Sequence, residues 1–420
     1  MKIRMLLISS GCCRALAVIV LLLTSLTAVG GFAHAATVTG SASVWGYVRN
    51  DTSKHVQVAP TVSFNLRDFG IKSLRFESSV RGFSDIRHNN SEDRSLRIWR
   101  AVFVYAPEKS PWEARLGQQW LTEGVGRGNV AGLWVKRKLD AVSSVTVYGG
   151  AQVLSSIDLE QTNRYQGIAA GVHGQSKINR FNIGASYFYV GKDKLLYQGA
   201  GVEASGRIVR ALTGRGRFDI NLQQGSVEKA QVLLDWWAHR KVDVTGEFRV
   251  EQPRIFEDSY FKIFLGQVNT TFGRVGAMWK FYKMFYVRGS GTMLFAEGAG
   301  NSGLFKAQAA AGFNACRSLE VGYTHWTSVD KAKWDGFFGQ FRCKCFKRLD
   351  AFAGFDFARG SNAETTLLPA QDSQALYFGA EVTPIPALSL SARAEQIKDP
   401  QYSSQWRGLF SLSTHFSNLR

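Results

Sequence analysis

Residues Ala230–Glu251 place opposite demands on the two faces of one backbone. Val242, Val244, Gly246, Phe248 and Val250 alternate with Asp243, Thr245, Glu247, Arg249 and Glu251. A period of two marks a β-strand whose faces meet different surroundings. Ala230, Val232, Leu234 and Trp236 repeat the pattern upstream, and His239-Arg240-Lys241 is a tight polar connection, so the pair predicts a hairpin. The same one-sided design recurs from Ser41 to Phe416. It gives about 22 segments of about ten residues, and any count between roughly 18 and 22 fits the pattern. Short polar connections such as Asp68–Lys72 and Ala106–Pro111 take turns with longer ones. The longer ones include Asp85–Arg94, Leu121–Gly132, Val153–Arg164 and Arg359–Gln374. A soluble sandwich needs some strands buried on both faces and a hierarchy of core and edge. This chain repeats a single half-apolar strand instead.

What precedes the first strand fixes the compartment. Lys2, Arg4 and Arg14 flank an uncharged start, Ala15–Leu23 is apolar throughout, and Ala33-His34-Ala35 has the small-x-small form of a cleavage site. Residues 1–35 therefore read as a secretory signal peptide and 36–420 as one exported domain. No linker or low-complexity tract divides that domain. With 42 Gly and only 8 Pro, the composition suits many strands. No run of 18 apolar residues follows the leader, so a helical span is excluded. A closed barrel is the remaining way for an exported chain of this pattern to cross a lipid bilayer. The expected fold is thus all-β, a transmembrane antiparallel up-and-down barrel. Because strand-like residues begin at Ser41, no plug domain is expected.

At this point the chain resembles outer-membrane porins of Gram-negative bacteria. Ala114-Arg115-Leu116-Gly117-Gln118-Gln119, followed by the glycine-rich Gly124–Gly132, looks like the Arg-Leu-Gly-x-Gln strand of porin and alginate-export-like barrels. The terminal strand carries Gly408, Phe410, Leu412, Thr414 and Phe416 on one parity, which is similar to the barrel-assembly signal of that class. The resemblance implies a cell outer-membrane location, contact with outer-membrane lipid, handling by the barrel-assembly machinery, and passive diffusion of small hydrophilic solutes. In outline the chain also resembles the barrels of porin–cytochrome electron conduits, which would place a multihaem cytochrome in the lumen. Oligomeric state is not legible.

Other motifs carry less. Gly126-Arg127-Gly128-Asn129-Val130-Ala131 matches a dinucleotide fingerprint on paper, but that motif must open a helix and strand-like residues follow it here. Cys316, Cys343 and Cys345 meet at one rim if the strands pair as read; a Cys316–Cys345 or Cys316–Cys343 disulfide stays open, and an odd count leaves one thiol over. No C-x-x-C-H or H-E-x-x-H is present, so no cofactor or metal is expected. Nothing in the spacing ties a nucleophile to a base, and no enzyme is read. The net charge of +18 is scattered along the polar parity rather than gathered in a patch, which argues against nucleic acid. That parity holds Arg67, Arg75, Arg81, Arg115, Arg217, Arg249, Arg288, Arg342, Arg393 and Arg407. They are the candidate pore-lining residues, and their positive excess would favour anions in a water-filled lumen.

Overall fold

A computed structural model describes residues 37–49, 56–67, 70–85, 94–154, 164–192, 195–252, 269–297, 300–314, 317–327, 332–361, 372–399 and 402–417. They form one sheet of 22 antiparallel strands. The strands are β1 Thr37–Arg49, β2 Val56–Arg67, β3 Leu74–Asp85, β4 Arg94–Tyr105, β5 Trp112–Leu121, β6 Gly128–Lys138 and β7 Ser143–Leu154. Then come β8 Arg164–Ile178, β9 Phe181–Lys192, β10 Leu195–Val209, β11 Leu212–Asn221, β12 Ser226–His239, β13 Val242–Glu251, β14 Thr270–Tyr282 and β15 Phe285–Ala296. The last are β16 Gly300–Asn314, β17 Arg317–Thr327, β18 Lys333–Phe346, β19 Leu349–Ser361, β20 Asp372–Ile385, β21 Leu388–Asp399 and β22 Tyr402–Ser417. Each pairs with its sequence neighbours, and β1 also pairs with β22, from Thr39 opposite Ser417 to Arg49 opposite Arg407. Closure leaves no open edge, the condition for placing a sheet in hydrocarbon.

The alternation reads out as two faces. Outward stand Leu116, Ile168, Val202, Phe218, Phe248, Val275 and Leu376, with Ile168 and Val275 exposed to 66% and 64% of their surface. Apolar side chains this exposed over a whole wall belong against lipid. Of the aromatic residues near strand ends, Trp112, Trp120 and Trp236 face outward, where an interfacial girdle would lie. Tyr286 and Trp326 do not, because they share the inward parity of Arg288 and Thr324.

The expected fold class holds in its strand count and is corrected in one part. The count, expected between roughly 18 and 22, is 22 among the described residues. The expectation of a barrel with no plug domain does not stand, because the bore is not left clear. The β5–β6 connection, predicted as a surface loop over Leu121–Gly132, spans only 122–127, and its Val125 is fully buried against the inner wall. Gly124 allows the inward turn: its φ of +56° is left-handed, and a Cβ there would strike the Ser186 side chain. The Cys316 disulfide and the loops 86–93, 155–163 and 362–371 lie outside the described residues; Cys343 and Cys345 are free thiols.

One rim has turns as short as two residues, as at 179–180, 210–211 and 240–241. Its β6–β7 turn is held by Asp140, whose Oδ1 accepts the N–H of Val142 at 2.7 Å and of Ser143 at 2.6 Å. The Val142 N–H, with that of Ser143, holds the exposed carboxyl below the usual carboxylate range. A lowered folded value means the turn's stabilisation is present above the ordinary carboxylate pKa and is lost as pH falls through the folded value. Amide exchange of Val142 and Ser143 should therefore accelerate only below the ordinary Asp range. Asp140→Ala should exchange fast at every pH.

Candidate functional site

The inward face is where charge meets charge at a spacing of two. Arg75 donates to Glu77 at 2.7 Å, Arg217 to Asp219 at 2.8 Å, Arg249 reaches Glu251 at 3.3 Å, and Arg393 donates to Glu395 at 3.2 Å. In β5 the order reverses, with Arg115 donating to Glu113 at 2.9 Å. Arg407 grips the side-chain oxygen of Gln405 through two nitrogens, at 3.1 and 2.9 Å. Residues i and i+2 of a strand share a face, so each pair is set by one strand alone. Rings on the next strand complete the arrangement. The Arg115 guanidinium lies 4.0 Å over Trp134, Arg393 4.0 Å over Tyr377, Arg249 4.9 Å over Phe272 and Arg342 5.8 Å over Phe352. Such arginines are held flat on the wall, with much of their charge balanced. Arg67, Arg81 and Arg288 are different: they are exposed and make no ion pair among the described residues.

All ten predicted arginines thus share the bore face, but only Arg115 and Arg217 belong to its most built-up region. That region is the inserted loop and the wall behind it. Val125 joins Leu121, Val130, Trp134, Tyr148, Phe188, Val190 and Tyr197 in one buried apolar cluster. Three polar contacts pin the loop to the wall, and a fourth lies within it. The Val125 N–H donates to Ser186 Oγ at 2.8 Å, and Arg217 donates to the Gly124 carbonyl at 2.5 Å. Glu123 receives the Trp134 indole N–H at 3.1 Å and the Thr122 N–H at 3.0 Å. Beside the cluster, the Tyr197 hydroxyl donates to Glu228 at 2.6 Å.

Toward the short-turn rim the loop overhangs a polar recess of about 580 Å³. Arg127, Arg215 and Arg217 face Glu203, Gln175 and Gln231 across it. His173, 3.6 Å from Glu203, stands at its edge. The recess can hold a small hydrated solute between donors and acceptors, and no nucleophile or metal cage is built into it. Sequence reading missed Glu123, Trp134 and Ser186. Their one trace was the glycine cluster Gly124, Gly126 and Gly128, which marked a special backbone without showing its direction.

A closed barrel with an even number of antiparallel strands, an apolar outer belt and a charged bore defines an outer-membrane β-barrel of porin-like architecture. No protein-family model matches the sequence, and neither does any curated protein. Among solved structures the chain is similar to a mutant of the ferric enterobactin receptor PfeA from Pseudomonas aeruginosa. The TM-score is 0.58 at 8% identity, over 90% of this chain and 80% of that one. It is also similar to the translocation pore of the P pilus usher PapC, with a TM-score of 0.51 at 10% identity, over 90% of this chain and 99% of that one. At such identities the likeness is one of fold. Neither likeness shows the plug-free barrel expected from the sequence.

Proposed function

We propose that the chain is a passive channel for small hydrophilic solutes across the outer membrane, with a mild preference for anions. The observation that carries this is the polar inner parity of the wall: arginine–carboxylate pairs on β3, β5, β11, β13 and β21 face the lumen, while the outer face of the same wall is apolar. Paired arginines give a hydrated, stiff wall but little net field. The preference for anions rests on the exposed Arg67, Arg81 and Arg288. Both termini lie on the periplasmic side in this reading, and the long-loop rim faces the medium. The sheath of a cytochrome conduit fits less well, since residues 122–127 and their cluster occupy room that a lumenal partner needs.

Selectivity tests the reading. Charges on the wall of a wide bore act over a Debye length of about 10 Å at 0.1 M salt, so the preference should be modest and fade as salt rises. Changing Arg67, Arg81 and Arg288 together to Gln should move the reversal potential toward cations, most clearly at low salt. Changing Arg393 and Glu395 together to Gln, a pair that removes one charge of each sign, should leave it in place. An unmoved reversal potential in the first variant removes the anion preference.

A further inference from the structure

The apolar outer belt is broken at the long-loop rim by four polar side chains that touch in sequence. Tyr323, His325 and Thr327 share the outward parity at the end of β17. The register sets His325 opposite Asp335 of β18 and Thr327 opposite Lys333. Asp335 Oδ1 lies 2.8 Å from His325 Nδ1, and His325 Nε2 lies 3.3 Å from Thr327 Oγ1. The Tyr323 hydroxyl donates to the same Asp335 oxygen. A rim polar girdle needs no particular order among such groups. Here the order is carboxylate to Nδ1 and Nε2 to hydroxyl. The carboxylate fixes the proton on Nδ1 and leaves Nε2 to accept the proton of the hydroxyl, as an activated oxygen nucleophile requires.

A second observation on the same face points to what would react there. An apolar groove of about 800 Å³ runs across the outer wall from β12 and ends at His325 and Thr327. Two rows of paired residues make it. Phe248, Gly273, Met293, Gly303 and Thr327 follow one another across the strands, and beside them run Gly246, Val275, Gly291, Phe305 and His325. Large side chains and glycines alternate out of phase in the two rows. A Cβ at Gly246, Gly273 or Gly291 would meet open space, so the floor of the furrow is bare backbone.

We propose that this is a site for hydrolysis of long-chain carboxylic esters, with the acyl chain in the groove. Thr327 is the nucleophile, His325 the base and Asp335 a positioning residue. His325 Nε2 takes the Thr327 proton as Oγ1 bonds to the ester carbonyl carbon. The carbon–oxygen bond to the alcohol then breaks, and the alcohol leaves with the proton from His325. Water attacks the acyl-threonine, giving its proton to His325. The acid departs, and the proton returns to Thr327 Oγ1. Lys333, opposite Thr327, sets a cation on the same face for the charge that develops on the carbonyl oxygen. The site lies on the far side of the wall from the bore and does not depend on conduction.

The test uses the folded full-length barrel in detergent with p-nitrophenyl palmitate and p-nitrophenyl butyrate. Palmitate should be cleaved in preference to butyrate. Thr327→Ala and His325→Ala should each lower the rate by roughly 10²-fold or more, while Thr327→Ser keeps it. Asp335→Asn should lower kcat at unchanged KM, with partial recovery in Asp335→Glu. Heat-modifiable migration shows that each variant is folded. A wild-type barrel that cleaves neither ester faster than folded Thr327→Ala overturns the proposal.

Discussion

Trp134→Ala is expected to cost about 3–5 kcal/mol of stability, the range for deleting a buried aromatic. Trp134 is 2% exposed at the centre of the apolar cluster, with Arg115 over its ring and its indole N–H on Glu123. Removing the ring opens a cavity in the cluster that holds Val125 and takes the indole donor from Glu123, so the loop loses packing and one of its polar contacts. Urea unfolding of the barrel in detergent reads the first effect. The second reads as current: with residues 122–127 held to the wall only through Ser186 and Arg217, channel noise should rise. Trp134→Phe keeps the packing but not the hydrogen bond and should lose far less stability. Equal losses in the two variants would mean that the indole hydrogen bond, not the cluster, holds the loop.

The second large effect concerns the two faces of one strand. Val275 and Arg274 are neighbours near the middle of β14, the first turned to lipid and the second to the bore. Val275→Arg puts a guanidinium against hydrocarbon and should cost roughly 2–4 kcal/mol near the midplane. Arg274→Val places a methyl-bearing side chain in a wet lumen opposite Glu247 and should cost well under half as much. The pair swaps the same two residue types across one peptide bond, so propensity and size largely cancel. Similar losses in the two variants would show that the assigned faces are wrong.

Alternation made the strands legible, and it did so wherever side chains carried the signal. All 22 segments read from the sequence are strands in the same order, and His239-Arg240-Lys241 lies at the expected hairpin. Boundaries failed where side chains were silent. β2 runs from Val56 through Pro60, which has no N–H to give and interrupts the strand signal there. β6 starts at Gly128, inside the segment taken for a loop, because glycines carry no parity. The arginine–carboxylate pairs were readable, since i and i+2 share a face before any tertiary structure is known. The inserted loop was not, because Leu121, Val125 and Val130 come together only when the barrel closes. Nor was the Asp335–His325–Thr327 chain, which exists through the cross-strand register.

A barrel that passes solute through its polar bore must also pass ions. Purified, heat-modifiable protein should insert into planar bilayers and give stepwise, ohmic conductance. In a salt gradient the reversal potential should lie slightly on the anion side at low salt and approach zero as salt rises. Folded barrels that enter the bilayer and carry no current would contradict the claim.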